Sequence, residues 1–360
     1  MTGDVLVLRA LGLGDALAAV AALRGVRRAW PERQITVAGR LDLGRWLHQH
    51  RLVDAVLPTS GLAAPLDWPR PPGGSHVSGH VAVNLHGRGP QSHRLLLDTR
   101  PDQLVAFDCP ATGTPGPEWD ADEHEVDRWC RLLSRVGGTC GREDLRLPAP
   151  GPRRGHVVVH PGAASPSRRW PPERFAAVVA HLAAAGRRVV VTGTAQEREI
   201  TAQVCGHRAP VTSMPAAPPA APGVHDAGGR LDLPALARLV GTADLLVSAD
   251  TGVAHLATAF ATPSVVLFGP TPPRLWGPAL DPHLHTTLWH GGPGEYGAHG
   301  EHDEHGEHGE HGEHDEQRGD HRGDPHADVL DPVLAAVTVE DVLDAADGLL
   351  SASRRRQPAL

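Results

Sequence analysis

Apolar positions along the chain come in short blocks separated by longer amphipathic stretches. Val5-Leu6-Val7-Leu8 is a continuous apolar run, the pattern of a strand covered on both faces. It ends in Arg9-Ala10-Leu11-Gly12-Leu13-Gly14-Asp15, and an Ala/Leu/Val-rich segment then runs to Trp30 before Pro31. This predicts a strand, a glycine turn and a helix. Residues 34–38, 55–57 and 81–85 repeat the strand pattern. Strands separated by helical segments predict an α/β fold, with a parallel sheet and helices on both faces.

Leu147-Pro148-Ala149-Pro150-Gly151-Pro152 is a proline-rich break and the expected interdomain linker. The pattern then restarts. Strands are expected at 156–159, 188–192, 244–248 and 264–268, and helices at 172–185, 195–204, 233–239 and 252–261. Residues 209–229 are rich in Pro, Ala and Gly and read as a loop with one short strand. His299, His302, His305, His308, His311 and His314 recur every third residue among Gly, Glu and Asp, a polar tract that cannot bury a core and is expected to be disordered. Residues 339–350 read as an amphipathic helix before a basic tail. The expected organisation is two doubly wound units, residues 1–150 and 151–294, a low-complexity insert at 295–328, and a C-terminal helix and tail at 329–360.

Composition narrows the chemistry. All 34 basic residues are arginine, so a P-loop, a protein kinase and a Schiff-base enzyme are excluded for want of their lysine. The net charge of −8 is uneven. Residues 295–328 hold twelve acids and two arginines, which leaves 32 arginines against 30 acids elsewhere. That balance argues against a nucleic-acid partner and leaves peripheral contact with an anionic membrane open. The apolar runs fall far short of a membrane span, and Met1–Leu11 lacks the pattern of a secretory signal. Cys109, Cys130, Cys140 and Cys205 form no CxxC pair and read as free thiols of a cytoplasmic protein.

Three turns after strands carry candidate chemistry, because ligands of open parallel sheets bind at the carboxyl ends of the strands. In Gly12-Leu13-Gly14-Asp15 the glycines permit a sharp turn, and Asp15 is either a helix cap or a carboxylate aimed into the cleft. In His160-Pro161-Gly162-Ala163-Ala164-Ser165-Pro166-Ser167-Arg168-Arg169-Trp170-Pro171 the small residues expose N–H groups, and Arg168 and Arg169 can neutralise a diphosphate. In Ser248-Ala249-Asp250-Thr251-Gly252-Val253-Ala254-His255 a helix N-terminus at Thr251 and Gly252 suits an anion, and Asp250 suits sugar hydroxyls. His255, a turn further on, is either a ligand contact or a core histidine.

The ordered set of these turns resembles the family 9 glycosyltransferases, typified by the ADP-heptose:lipopolysaccharide heptosyltransferases. The resemblance rests on Asp250-Thr251-Gly252, His255-Leu256-Ala257, Pro263, and Leu267-Phe268-Gly269-Pro270-Thr271. It is extended by the His160–Ala163 turn, by Arg169-Trp170-Pro171 and by Gly14-Asp15. It implies a GT-B architecture, two Rossmann-like doubly wound domains facing across a cleft. It also implies inverting, metal-independent transfer from a nucleotide-diphospho-sugar, expected to be ADP-linked, to a hydroxyl of a cell-envelope glycan or glycolipid. No cofactor is implied, and a cytoplasmic monomer is expected, free or at the inner face of the membrane.

On the same resemblance Asp15 matches the general base, with Gly12 and Gly14 on the acceptor side. Gly162, Ala163, Thr251 and Gly252 match phosphate-binding turns, and Asp250 matches a donor-sugar contact. Arg168, Arg169 and His255 join the donor side, and Glu197 matches a ribose contact. Where the family often carries a lysine near the diphosphate, this chain has Arg168, which keeps the charge without the compact ammonium. Two other readings remain: a nucleotide-sugar 2-epimerase of the same architecture, and a metal-binding protein acting through His302, His305, His308, His311 and His314.

Overall fold

The structure, a computed structural model, describes residues 4–68, 79–206, 222–292 and 320–356. The first unit contains β1 (Val5–Leu8), α1 (Leu13–Ala18), α2 (Val20–Ala29), β2 (Ile35–Gly39), α3 (Leu41–Gln49) and β3 (Ala55–Pro58). It continues with β4 (Val81–Asn84), α4 (Gln91–Leu97), β5 (Gln103–Val105) and α5 (Glu125–Ser134). Its five strands pair in parallel in the order β3-β2-β1-β4-β5.

The second unit contains β6 (His156–His160), α6 (Pro172–Ala184), β7 (Arg188–Val191), α7 (Arg198–Val204), β8 (Gly223–Asp226), α8 (Leu233–Gly241) and β9 (Leu245–Ala249). After these come α9 (Gly252–Ala259), β10 (Ser264–Leu267), α10 (Pro273–Trp276), β11 (His285–Leu288), α11 (Pro332–Ala336) and α12 (Val339–Arg356). Its six parallel strands run β11-β10-β9-β6-β7-β8. The all-apolar strands are the central ones, as burial on both faces requires: β1 and the Val157–Val159 stretch of β6 are fully covered.

Three local expectations are corrected. The helix expected from Gly14 to Trp30 is interrupted at Ala19, although Ala19 N–H still bonds Asp15 C=O at 3.1 Å and the path continues. The proline-rich break is not a free linker. Leu147 N–H donates to Ala259 C=O at 2.9 Å, Arg146 pairs with Asp281, and a side chain at Gly241 would run into Pro150. The expected insert is also shorter than drawn. Residues 320–328 belong to the fold: Gly323 N–H donates to Pro270 C=O, Ser167 N–H to Ala327 C=O, and His321 Nε2 meets Asp331 at 3.0 Å. The preceding tract, with His302, His305, His308, His311 and His314, lies outside the described residues.

Candidate functional site

In a parallel sheet a crevice opens where successive connections leave a strand pair in opposite directions. In the first sheet that place is between β1 and β4, whose ends run into Arg9-Ala10 and Leu85-His86. In the second it is between β6 and β9, where His160 lies beside Ser248. The turns expected to carry chemistry therefore occupy both switch points. Helices α1 and α9 pack against each other there: a Cβ on Gly252 would stand 2.7 Å from Gly14 N, and one on Gly14 would stand 3.1 Å from the His255 ring.

Asp15 is the third residue of α1 rather than its cap, and Gly12 is the cap. One carboxylate oxygen accepts Gly12 N–H at 3.2 Å, closing the first turn. The other faces Arg9 at 3.5 Å, and the side chain remains 29 % exposed toward the cleft. The two readings of Asp15 are thus compatible, since one oxygen closes the helix turn, the other faces Arg9, and the side chain as a whole keeps some exposed surface. Arg9 is almost fully buried. It donates to Asp15 C=O at 3.0 Å, to Leu85 C=O, and to Glu125 Oε1 at 3.0 Å.

Asp250 and Thr251 form the opposite wall. Asp250 is half-buried and keeps some exposed surface. Burial pushes its carboxyl up to about 6; the nearby Arg168 pulls it down and Asp15 pushes it further up. Asp250 is therefore close enough to Arg168 and to Asp15 to feel the charge of each. Thr251 caps α9 through its backbone, and its hydroxyl is buried with no hydrogen-bond partner among the described residues.

Gly252 is a glycine for a reason the sequence did not suggest. Its Cβ position is occupied by Gly14 and Leu13 of the facing helix. Gly252→Ala is expected to force the two units apart and cost about 1–3 kcal/mol, the usual range for overpacking. Urea unfolding checks this, and an unchanged midpoint would remove the close approach as the cause.

His255 packs edge-on against Trp276, with ring centroids 6.1 Å apart, and burial pushes it down to about 4. It is neutral at pH 7, so it offers a diphosphate no charge. With Leu17, His124, Glu125 and Trp276 it lines a small cavity between the units.

In the His160–Pro171 loop, a Cβ on Gly162 would collide with the Glu197 carboxylate. Glu197 Oε2 in turn accepts Thr194 N–H at 2.7 Å and Thr194 Oγ1 at 2.9 Å. Glu197 thus caps its own short helix while its head group lies against the glycine turn. Ala163 C=O accepts Arg169 Nε at 2.9 Å, and Arg168 leans on Ser165 Oγ at 3.4 Å. Neither arginine sits in a salt bridge among the described residues, and the charge of Arg168 is felt at Asp250. Trp170, buried, anchors the loop by donating to Val337 C=O at 2.9 Å.

Arg9, His86, His124, Glu125 and Trp276 were not singled out from sequence. The only local signal was Arg9 itself, a charge directly following an apolar strand. His86 accepts Ala10 N–H at 3.2 Å, and burial and the Arg9 charge push it down to about 4, with Asp15 pulling the other way. Among the described residues no group of three or more His, Cys, Asp or Glu is placed to hold a metal ion, and no helix is long and apolar enough to cross a membrane.

These ionisations set a pH dependence. His86, His255 and His285 take a proton near 4 in the fold and near 6.5 in the open chain. Between those values the unfolded state binds more protons, so stability falls as pH is lowered. Asp250 works the other way, gaining stability as pH drops from about 6 toward 3.8. The histidines outnumber it. Each is expected to cost on the order of 1–2 kcal/mol at pH 5, and Tm should be lower at pH 5 than at pH 7.5. An equal or higher Tm at pH 5 contradicts this.

Comparison with known proteins agrees with the geometry. The family model "Glycosyltransferase family 9 (heptosyltransferase)" matches residues 120–290. Lipopolysaccharide heptosyltransferase 3 of Escherichia coli is 30 % identical over 128 residues, 34 % of this chain and 34 % of that protein. The chain thus spans about a third of the length of the curated relatives it matches. Two solved structures align over nearly the whole fold. E. coli ADP-heptose lps heptosyltransferase II has a TM-score of 0.66 at 15 % identity, covering 98 % of this chain and 99 % of that one. A family 9 glycosyl transferase from Veillonella parvula has a TM-score of 0.67 at 17 % identity, covering 98 % of each. With two parallel α/β sheets arranged as in these structures, the chain has the GT-B fold, and its segment 120–290 is similar to glycosyltransferase family 9.

Proposed function

We propose that the protein is an inverting glycosyltransferase that moves a heptose or related sugar from a nucleotide-diphospho-sugar, ADP-linked, to a hydroxyl of a cell-envelope glycan or glycolipid. The observation that carries this is the meeting of the two switch points, where Gly252 packs against Gly14 and where Asp15 and Arg168 both act on the charge of Asp250. A donor lying along the second sheet would put its diphosphate against the N–H groups of α9 and the Gly162-Ala163 turn. Arg168 and Arg169 would flank it, and Glu197 would meet the ribose.

In the transfer step the acceptor oxygen forms a bond to the anomeric carbon from the face opposite the diphosphate. The bond from that carbon to the phosphate oxygen breaks, and its electron pair leaves with the nucleoside diphosphate. Asp15 takes the hydroxyl proton as the new bond forms and later releases it to water. Asp250 accepts hydrogen bonds from the donor's hydroxyls and fixes the sugar. Positive charge from Arg168, Arg169 and the helix N-terminus balances the departing diphosphate, so the chemistry calls for no divalent ion.

The four cysteines are free thiols, which fits work in the cytoplasm. The near-neutral charge outside the acidic stretch fits a protein without a nucleic-acid partner. The test is a screen of ADP-, GDP- and UDP-sugars by thermal shift, then product analysis with and without a glycan acceptor, in chelator. Transfer that needs acceptor and survives chelator is expected. A changed donor sugar without acceptor points to a 2-epimerase, and loss of transfer restored by Mg²⁺ overturns the metal-independent step.

A further inference from the structure

The guanidinium of Arg9 and the carboxylate of Glu125 come from distant parts of the chain and meet behind Asp15. Side-chain exposure is 2 % for Arg9 and 6 % for Glu125. A charge so deeply covered is destabilising unless paired and hydrogen-bonded. Both conditions are met. Arg9 spends its donors on Asp15 C=O, Leu85 C=O and Glu125, and its guanidinium lies over the Trp129 ring at 5.1 Å. Glu125 is fixed in turn by Trp129 Nε1 at 2.7 Å and Arg128 Nη1 at 2.5 Å. The one contact of Arg9 that is not short is the 3.5 Å approach to Asp15 Oδ1.

From this we infer that Arg9 is a positioning residue for Asp15: Glu125 holds it by its strongest ion pair, so that it orients the first turn of α1 and presents a partial, not a full, counter-charge to the Asp15 carboxylate. The inference rests on the transferase reading of Asp15. The arrangement has a chemical purpose. A cation bound directly to a base keeps it ionised but makes it a poor proton acceptor, whereas no cation at all lets it protonate early. Arg9 is shared between the two carboxylates, 3.0 Å from Glu125 and 3.5 Å from Asp15. The other charged or titratable groups facing Asp15 are His86 from the β4 loop, Asp250 from the β9 turn and His255 on α9. None of them donates a hydrogen bond to the Asp15 carboxylate.

The two members of the pair are expected to act in opposite directions, which a merely structural role would not produce. Glu125→Gln removes the competing anion, so the acid limb of kcat/KM should move to lower pH and kcat should fall on the order of tenfold. Arg9→Gln removes the cation, and the limb should move to higher pH by about one unit. Arg9→Lys should restore much of the limb while losing the fork to Leu85 and Glu125.

Rates are read as ADP release from ADP-heptose, with a cell-envelope glycan extract as acceptor. ADP affinity by calorimetry and folding by circular dichroism are read in parallel. If Arg9→Gln fails to fold, the Arg9→Lys and Glu125→Gln profiles decide. Wild-type turnover with limbs unmoved, or moved in the same direction, in folded variants overturns the positioning role. No ADP release by the wild type, despite ADP binding, instead overturns the transferase reading.

Discussion

Asp15→Asn is expected to reduce sugar transfer by about 10²–10⁴-fold, the range for loss of a general base, with donor affinity close to that of the wild type. The substitution separates the two jobs seen for this side chain. Asparagine keeps an oxygen that can accept Gly12 N–H, so the first turn of α1 stays closed. Arg9 keeps Glu125 at 3.0 Å, so removing the aspartate charge leaves no unpaired buried cation. What is lost is the negative charge and basicity of the carboxylate. Calorimetry with ADP and rate measurement on the same preparation check both halves. Near-normal turnover in a folded Asp15→Asn protein would leave Asp15 with only its role in the helix.

The fold was readable because parallel strands buried on both faces are written as unbroken apolar runs, and glycine turns follow them. The strands missed from sequence are edge strands. β5 is Gln103-Leu104-Val105 and β11 is His285-Thr286-Thr287-Leu288; each pairs on one side only and carries polar residues. The turns of the site were readable too, but the reasons for their glycines were not. Gly14 and Gly252 make room for one another across the two units, and Gly162 makes room for Glu197. Such steric needs arise only when distant segments meet.

The same holds for charge. Arg9 and Glu125 lie 116 positions apart, and no local pattern marks either as half of a buried pair. Asp250 showed as a sugar-binding candidate. Its raised proton affinity comes from burial and from Asp15, offset in part by Arg168, and the fold alone brings these together.

Arg168→Ala carries the second large expected effect, a fall in kcat of about 10²–10³-fold, the scale seen when one preorganised partner of a developing charge is removed. The developing charge here is the diphosphate's as the glycosidic bond breaks, so the loss should fall more on kcat than on donor binding. Arg169 is held by Ala163 C=O and cannot swing across to replace it, because that bond fixes the loop it stands on. The side chain's only hydrogen bond within the described fold is a long one to Ser165, and Trp170 anchors the loop independently, so truncation should leave the structure intact. A second readout follows from electrostatics. Arg168 pulls the Asp250 carboxyl down from where burial alone would put it. Without that charge Asp250 should bind its proton at higher pH, and donor affinity should weaken earlier as pH is lowered from 8 to 6. Arg168→Lys restores the charge as a compact ammonium and should recover both readouts in part. Equal rates in Arg168→Ala and wild type, or a pH dependence of donor binding that Arg168→Ala leaves unmoved, would move the diphosphate away from this arginine.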